Sequence, residues 1–158
     1  MEEKGELAKK NMKIKSLLLA LLAFVFFACP DKEDEIPAGS LNVEASVDGK
    51  AWQGSGNSQL TKVAGFTVWA IGAGATDRSN MALTLDAERT GNFDLKGNAI
   101  WTTADQVVHS ATSGTLVITK LDGNKASGTF SFKAKPMSGS GPEVSITNGT
   151  FTDVNIAR

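Results

Sequence analysis

GTLVITKLDGNKASGTFSFKA, residues 114–134, holds two runs of alternating apolar and polar side chains joined through Asp122, Gly123 and Asn124. A period of two places Leu116 and Ile118 on one face of the first run, and Phe130 and Phe132 on one face of the second. Alternation of this kind marks an extended strand with one side in a core and the other in water. Gly and Asn accept the positive φ of a tight turn, so the segment is expected to be an antiparallel hairpin.

The same pattern extends in both directions. LNVEASVDG sets Leu41, Val43, Ala45 and Val47 against Asn42, Glu44, Ser46 and Asp48, and MALTLDAE sets Met81, Leu83, Leu85 and Ala87 against polar neighbours. VSITNGTFTDVNI contributes Val144, Ile146 and Phe151, but Val154 and Ile156 fall out of period two, which predicts a bulge near Thr152 and Asp153. VDGK at 47–50, RTGN at 89–92, LKGN at 95–98 and LDGN at 121–124 are turn chemistry. SGSGP, residues 138–142, reads as a loop before the last strand. Helical periodicity is absent after the N-terminal segment. The expectation is a single all-β domain over residues 38–158, an antiparallel sandwich or small barrel of about 8–10 short strands. Inward alternation is common to both architectures and does not choose between them.

LLLALLAFVFFA, residues 17–28, carries no polar side chain and is preceded by Lys13 and Lys15. A helix of that length rises only about 18 Å, short of the roughly 30 Å hydrocarbon core, so a signal peptide over residues 1–28 is expected rather than a spanning helix. Glu2, Glu3 and Glu6 suit such a leader poorly, whereas a start at Met12 gives the usual order of basic, apolar and small residues. The chain's single cysteine, Cys29, follows small Ala28 directly and has no cysteine partner in its own chain. It fits the acceptor position of a bacterial lipoprotein box, where the cysteine is acylated and the leader removed. Residues 29–37 then read as an acylated cysteine and an acidic tether, with DKEDE at 31–35 similar to export signals that carry lipoproteins to the outside of the outer membrane. The expected partner is therefore outer-membrane lipid. The expected location is the outer membrane facing the exterior, with the periplasmic face as the alternative.

Between residues 36 and 158 the Lys and Arg side chains balance the Asp and Glu side chains. No basic footprint for nucleic acid is present. His109 is the only histidine, and neither a metal set nor a catalytic triad assembles from one His and one acylated Cys. GAGAT, residues 72–76, lacks the Lys and following helix of a phosphate loop and reads as a turn. Asp122 and Asn124 lack the further ligands of a calcium loop. Asp86, Glu88, Asp94 and Asp105 supply carboxylates such as a glycosidase pairs, but Asp86 and Glu88 fall on the outward face of a strand. No catalytic residue, metal or cofactor is assigned. Trp69 lies on the opposite face of its strand from Phe66, Val68 and Ala70, so either the strand is buried on both sides or Trp69 lines a groove. Trp69 and Trp52 are the candidate ligand contacts.

The leader with its lipobox, VDGKAW opening the domain, GTLVITKLDGNKASGTFSFKA and the closing ITNGTFTDVNI together resemble a family of Bacteroidota lipoproteins that carry a domain of unknown function. The likeness covers residues 41–157. It implies a small all-β secreted domain and brings no catalytic residues. The function expected is a lipid-anchored binding or adhesion module for a glycan or peptide. A lipocalin-like carrier of a small apolar ligand is the alternative, and a hydrolase the third.

Overall fold

The computed structural model describes residues 42–158. The leader, Cys29 and the acidic tether lie outside the described residues. Nine strands follow one another: β1 (Val43–Val47), β2 (Lys50–Val63), β3 (Phe66–Gly74), β4 (Asn80–Leu85), β5 (Gly91–Asp94), β6 (Ala99–Thr102), β7 (Val108–Asp122), β8 (Lys125–Pro136) and β9 (Val144–Ala157). Of the two architectures the alternation allows, the chain adopts the closed barrel. The wall runs β7-β6-β4-β3-β2-β1-β9-β8, and the pairing of β7 with β8 joins its ends. β5 and β6 lie end to end along one edge of β7, so nine strands fill eight positions. The pair that closes the ring is the hairpin of residues 114–134, with Asp122 opposite Lys125 across its turn. Four strands are long: β2, β7, β8 and β9 have 14, 15, 12 and 14 residues.

An eight-strand barrel is just wide enough for its own side chains to fill. Trp69, Leu83, Leu116, Ile118, Ile146 and Phe151 are all buried to 3% exposure or less, and Trp52 and Trp101 meet edge to face with centroids 5.6 Å apart. The bulge near Thr152 and Asp153 is present: Val154 pairs with Ala126 and Phe151 with Gly128, so two residues of β9 stand against Ser127 alone. Asp153 takes a φ of 50° there and Phe151, Val154 and Ile156 all reach the core. GAGAT is only partly a turn. Gly72 to Gly74 complete β3, and the chain reverses over Ala75 to Ser79, where the Ala75 amide donates to the Ser79 carbonyl.

The β2–β3 hairpin turns on Ala64 and Gly65, with φ of 49° and 86°. The faces of β3 fall the opposite way from what its larger apolar cluster suggests. Trp69, Ile71 and Ala73 point inward, while Phe66 and Val68 are 75% and 49% exposed on the outer wall. β2 stays extended through GSGN, residues 54–57, where Gly54 pairs with Val43 of β1 and Ser55 to Asn57 pair with Gly74 to Gly72 of β3, and interior bulk leaves no room for a side chain at its glycines. A Cβ on Gly54 would lie 2.6 Å from the Trp52 ring and 2.9 Å from the Gly74 carbonyl oxygen.

Candidate functional site

β4 stops before its neighbours do. β3 begins at Phe66, but its pairing with β4 ends at Trp69 opposite Leu85. On the other side β4 pairs with β6 as far as Leu83 opposite Ala99, and the Thr84 amide then donates to the Asn98 carbonyl. Past Leu85 the chain bends away. Ala87 packs against the core and the Glu88 carboxylate reaches Arg158, which follows β9, and Lys62 of β2. The Arg158 guanidinium also donates to the carbonyl of Gly123 in the β7–β8 turn, so residues 86–90 cross the end of the barrel.

That departure leaves a groove in the wall between the start of β3 and β5. It holds about 320 Å³ and is lined by Thr67 and Val68 of β3, by Leu85, and by Asp86, Arg89 and Asn92, among others. Leu85 and Phe93 are buried beneath it, and the Arg89 guanidinium carbon stands 4.4 Å over the Phe93 ring. Among the described residues no strand pairs with Phe66–Val68 on this side, and β5 pairs only with β7. Leu95 donates its amide to Gly114, so the alternation of an antiparallel ladder turns the amides of Asn92 and Asp94 away from β7 and toward the groove. Their carbonyls accept from the Arg89 guanidinium at 3.5 Å and the Asn98 side-chain amide at 3.2 Å.

Of the four carboxylates marked in the sequence, the fold brings Asp86 and Asp94 to this one groove. Glu88 is turned to its two cations, and Asp105 sits in the loop between β6 and β7. The hydrogen bond from Arg158, reinforced by the charges of Arg158 and Lys62, holds the Glu88 carboxyl below its ordinary value of 4.5. A carboxyl lowered by folding stabilises the fold above its unfolded value, and the effect fades as pH falls through its folded value. Residues 86–90 are therefore expected to lose this tie only on the acid side of pH 4.5. In an NMR titration the Glu88 side chain should have its midpoint below 4.5, and Arg158→Ala should raise it. Equal midpoints in the two proteins would mean the ion pair does not form.

The two tryptophans singled out as ligand contacts are interior. Trp69 is 0% and Trp52 8% exposed. The Trp69 indole donates to Ser58 Oγ at 3.2 Å, and the Trp52 indole donates to Ser79 Oγ at 2.8 Å. Ser79 in turn donates its hydroxyl and its amide to Asp77, and those bonds hold the Asp77 carboxyl below its usual range. The exposed aromatic on β3 is Phe66, which the alternation had placed with the buried face. His109 is buried in β7, opposite Trp101, with Nδ1 3.1 Å from the Val107 carbonyl oxygen. Among the described residues no three His, Cys, Asp or Glu side chains gather as a metal site. The groove itself was not legible in the sequence, because it is made by a strand that stops short, and periodicity does not mark where a neighbour continues alone.

Neither a curated protein nor a solved structure matches the chain. A family model described as a domain of unknown function, DUF6252, matches residues 40–155, from just before β1 to within β9. The match takes in all but the last residues of the barrel, and the chain belongs to that family.

Proposed function

We propose that the chain is a lipid-anchored outer-membrane lipoprotein, tethered through acylated Cys29, whose barrel is a binding module that takes its ligand in the groove between β3 and β5. The observation that carries the binding reading is the groove. It combines an apolar floor, Leu85 and Phe93, with a rim of Asp86, Asp94 and Arg89 and with strand edges that no other strand pairs among the described residues. Binding sites pair apolar surface with a few convergent polar groups in this way. Carriage of an apolar molecule inside the barrel has less support, because Trp52, Trp69, Trp101 and Phe130 occupy the interior.

The anchor reading rests on LLLALLAFVFFA running into Cys29 and on the acidic residues after it. Mass spectrometry of the membrane fraction is expected to find a mature N-terminus that begins at a diacylated or triacylated Cys29. Cys29→Ser should leave the leader uncleaved and the N-terminus without acyl groups. An unmodified Cys29 within an intact leader, in protein recovered from the soluble fraction, would sink the anchor. Protease added to whole cells separates the two faces of the membrane, since only an outward-facing barrel is cut.

A further inference from the structure

We propose that the ligand is an extended polypeptide segment that enters the barrel wall as an added strand, between the start of β3 and β5. This rests on the binding-module reading and narrows its ligand to a peptide backbone.

The geometry of the gap is that of one missing strand. β3, β4 and the β5/β6 position are consecutive in the wall, and adjacent strands stand about 4.8 Å apart. Where β4 has left, β3 and β5 are thus about 10 Å from each other, the span of a single strand between two partners. Both flanks offer backbone groups in the right direction. In the two-residue β2–β3 hairpin Val63 faces Phe66 and Thr61 faces Val68, so Phe66 and Val68 bond to β2 and Thr67 turns its amide and carbonyl to the gap. Across the gap stand the amides of Asn92 and Asp94. A strand edge left unpaired is a template for another chain, and strand addition draws its affinity from such main-chain bonds.

Side chains around the gap set what the segment must look like. Its outward residues would lie beside exposed Phe66 and Val68, an apolar pair on the outer wall. Cross-strand apolar pairs stabilise a sheet, so apolar side chains at alternate positions are selected. Asp86 and Asp94 line the same opening with Arg89 as the only cation among the described residues there, which favours a Lys or Arg in the segment. β5 spans four residues, so the inserted portion is about that long. A glycan would use the carboxylates and leave the facing amides of both strands without partners, which is why the peptide is favoured.

Among the described residues the barrel closes on itself and fills its own core, so residues 38–158 are expected to fold as an isolated domain. This domain can be panned with a phage library of linear octapeptides, and enriched sequences remade as synthetic peptides. Three results are expected. Enriched peptides carry alternating apolar residues and no central proline. N-methylation of every second backbone amide weakens binding about threefold to tenfold per site, while methylation of the residues between does not. Bound peptide slows amide exchange at Thr67, Asn92 and Asp94, and Val68→Lys or Thr67→Pro removes binding with the barrel still folded. Peptides that bind regardless of backbone methylation, or that protect amides elsewhere, would overturn strand addition. A glycan array that binds at the groove when no peptide does would overturn it and leave the binding module standing. If neither library binds, both readings fall.

Discussion

Trp69→Ala is expected to lower the unfolding free energy by about 3–5 kcal/mol, the range for truncating a fully buried tryptophan. The side chain is 0% exposed and sits on β3 between β2 and β4, so the cavity cannot drain to solvent. The indole also leaves Ser58 behind. Ser58 Oγ accepts from the indole and donates to the Asn155 carbonyl at 3.0 Å, which ties β2 to the end of β9. A single domain is stable by only about 5–15 kcal/mol, so the loss is about a fifth of the total or more. Urea unfolding followed by far-ultraviolet circular dichroism should show a lower midpoint with an unchanged slope. A midpoint within error of the wild type would mean that the indole is not in the core. The same experiment bears on recognition, since a Trp69 that served as an exposed ligand contact would be replaced at little cost to stability.

Gly114→Ala should cost about 3 kcal/mol, by a different route. Gly114 takes a φ of 155°, and a Cβ there would lie 2.4 Å from Phe132 Cβ, 2.6 Å from the Ser131 carbonyl oxygen and 2.7 Å from Phe132 Cα. Two of those three atoms belong to the β8 backbone and cannot swing aside as a side chain can. Overpacking of a tight core costs roughly 1–3 kcal/mol, and an unsuitable backbone conformation adds about as much. Gly123→Ala is the control. It has positive φ as well, 59°, but nothing within 4 Å of the added carbon, so it should lose about 1 kcal/mol. Equal losses at both positions would show that backbone conformation alone, and not the β7–β8 approach, makes glycine necessary at 114.

Both positions show where reading along the chain succeeds and where it fails. The hairpin of residues 114–134 is legible because Leu116, Ile118, Phe130 and Phe132 alternate without interruption and a Gly-Asn turn joins them. The bulge in β9 is legible for the same reason, as a break in period two between Phe151 and Val154. β2 is not. GSGN at 54–57 has the composition of a loop, and it forms a strand through its pairing with β1 and β3, where Trp52, Val43 and Val154 crowd the space above its glycines. β3 is ambiguous in a more instructive way. Phe66, Val68 and Ala70 make as apolar a face as Trp69, Ile71 and Ala73, so nothing local says which is inside.

Period two, turn residues and charge balance, each a property of near neighbours, were enough for the amino-acid sequence alone to determine an antiparallel all-β domain, its main hairpin and the polar outer face of most strands. Which edge meets which, and hence barrel rather than sandwich, was decided by the pairing of β7 with β8 around the ring. The inward turn of Trp69 and the outward turn of Phe66 follow from that closure, because a closed wall has one interior and a strand can offer it only one face. The groove has the same origin. Asp86, Asp94, Thr67 and Val68 share an opening because β4 ends while β3 and β5 continue, and the length of one strand relative to its neighbours in space is not written in any single stretch of the chain.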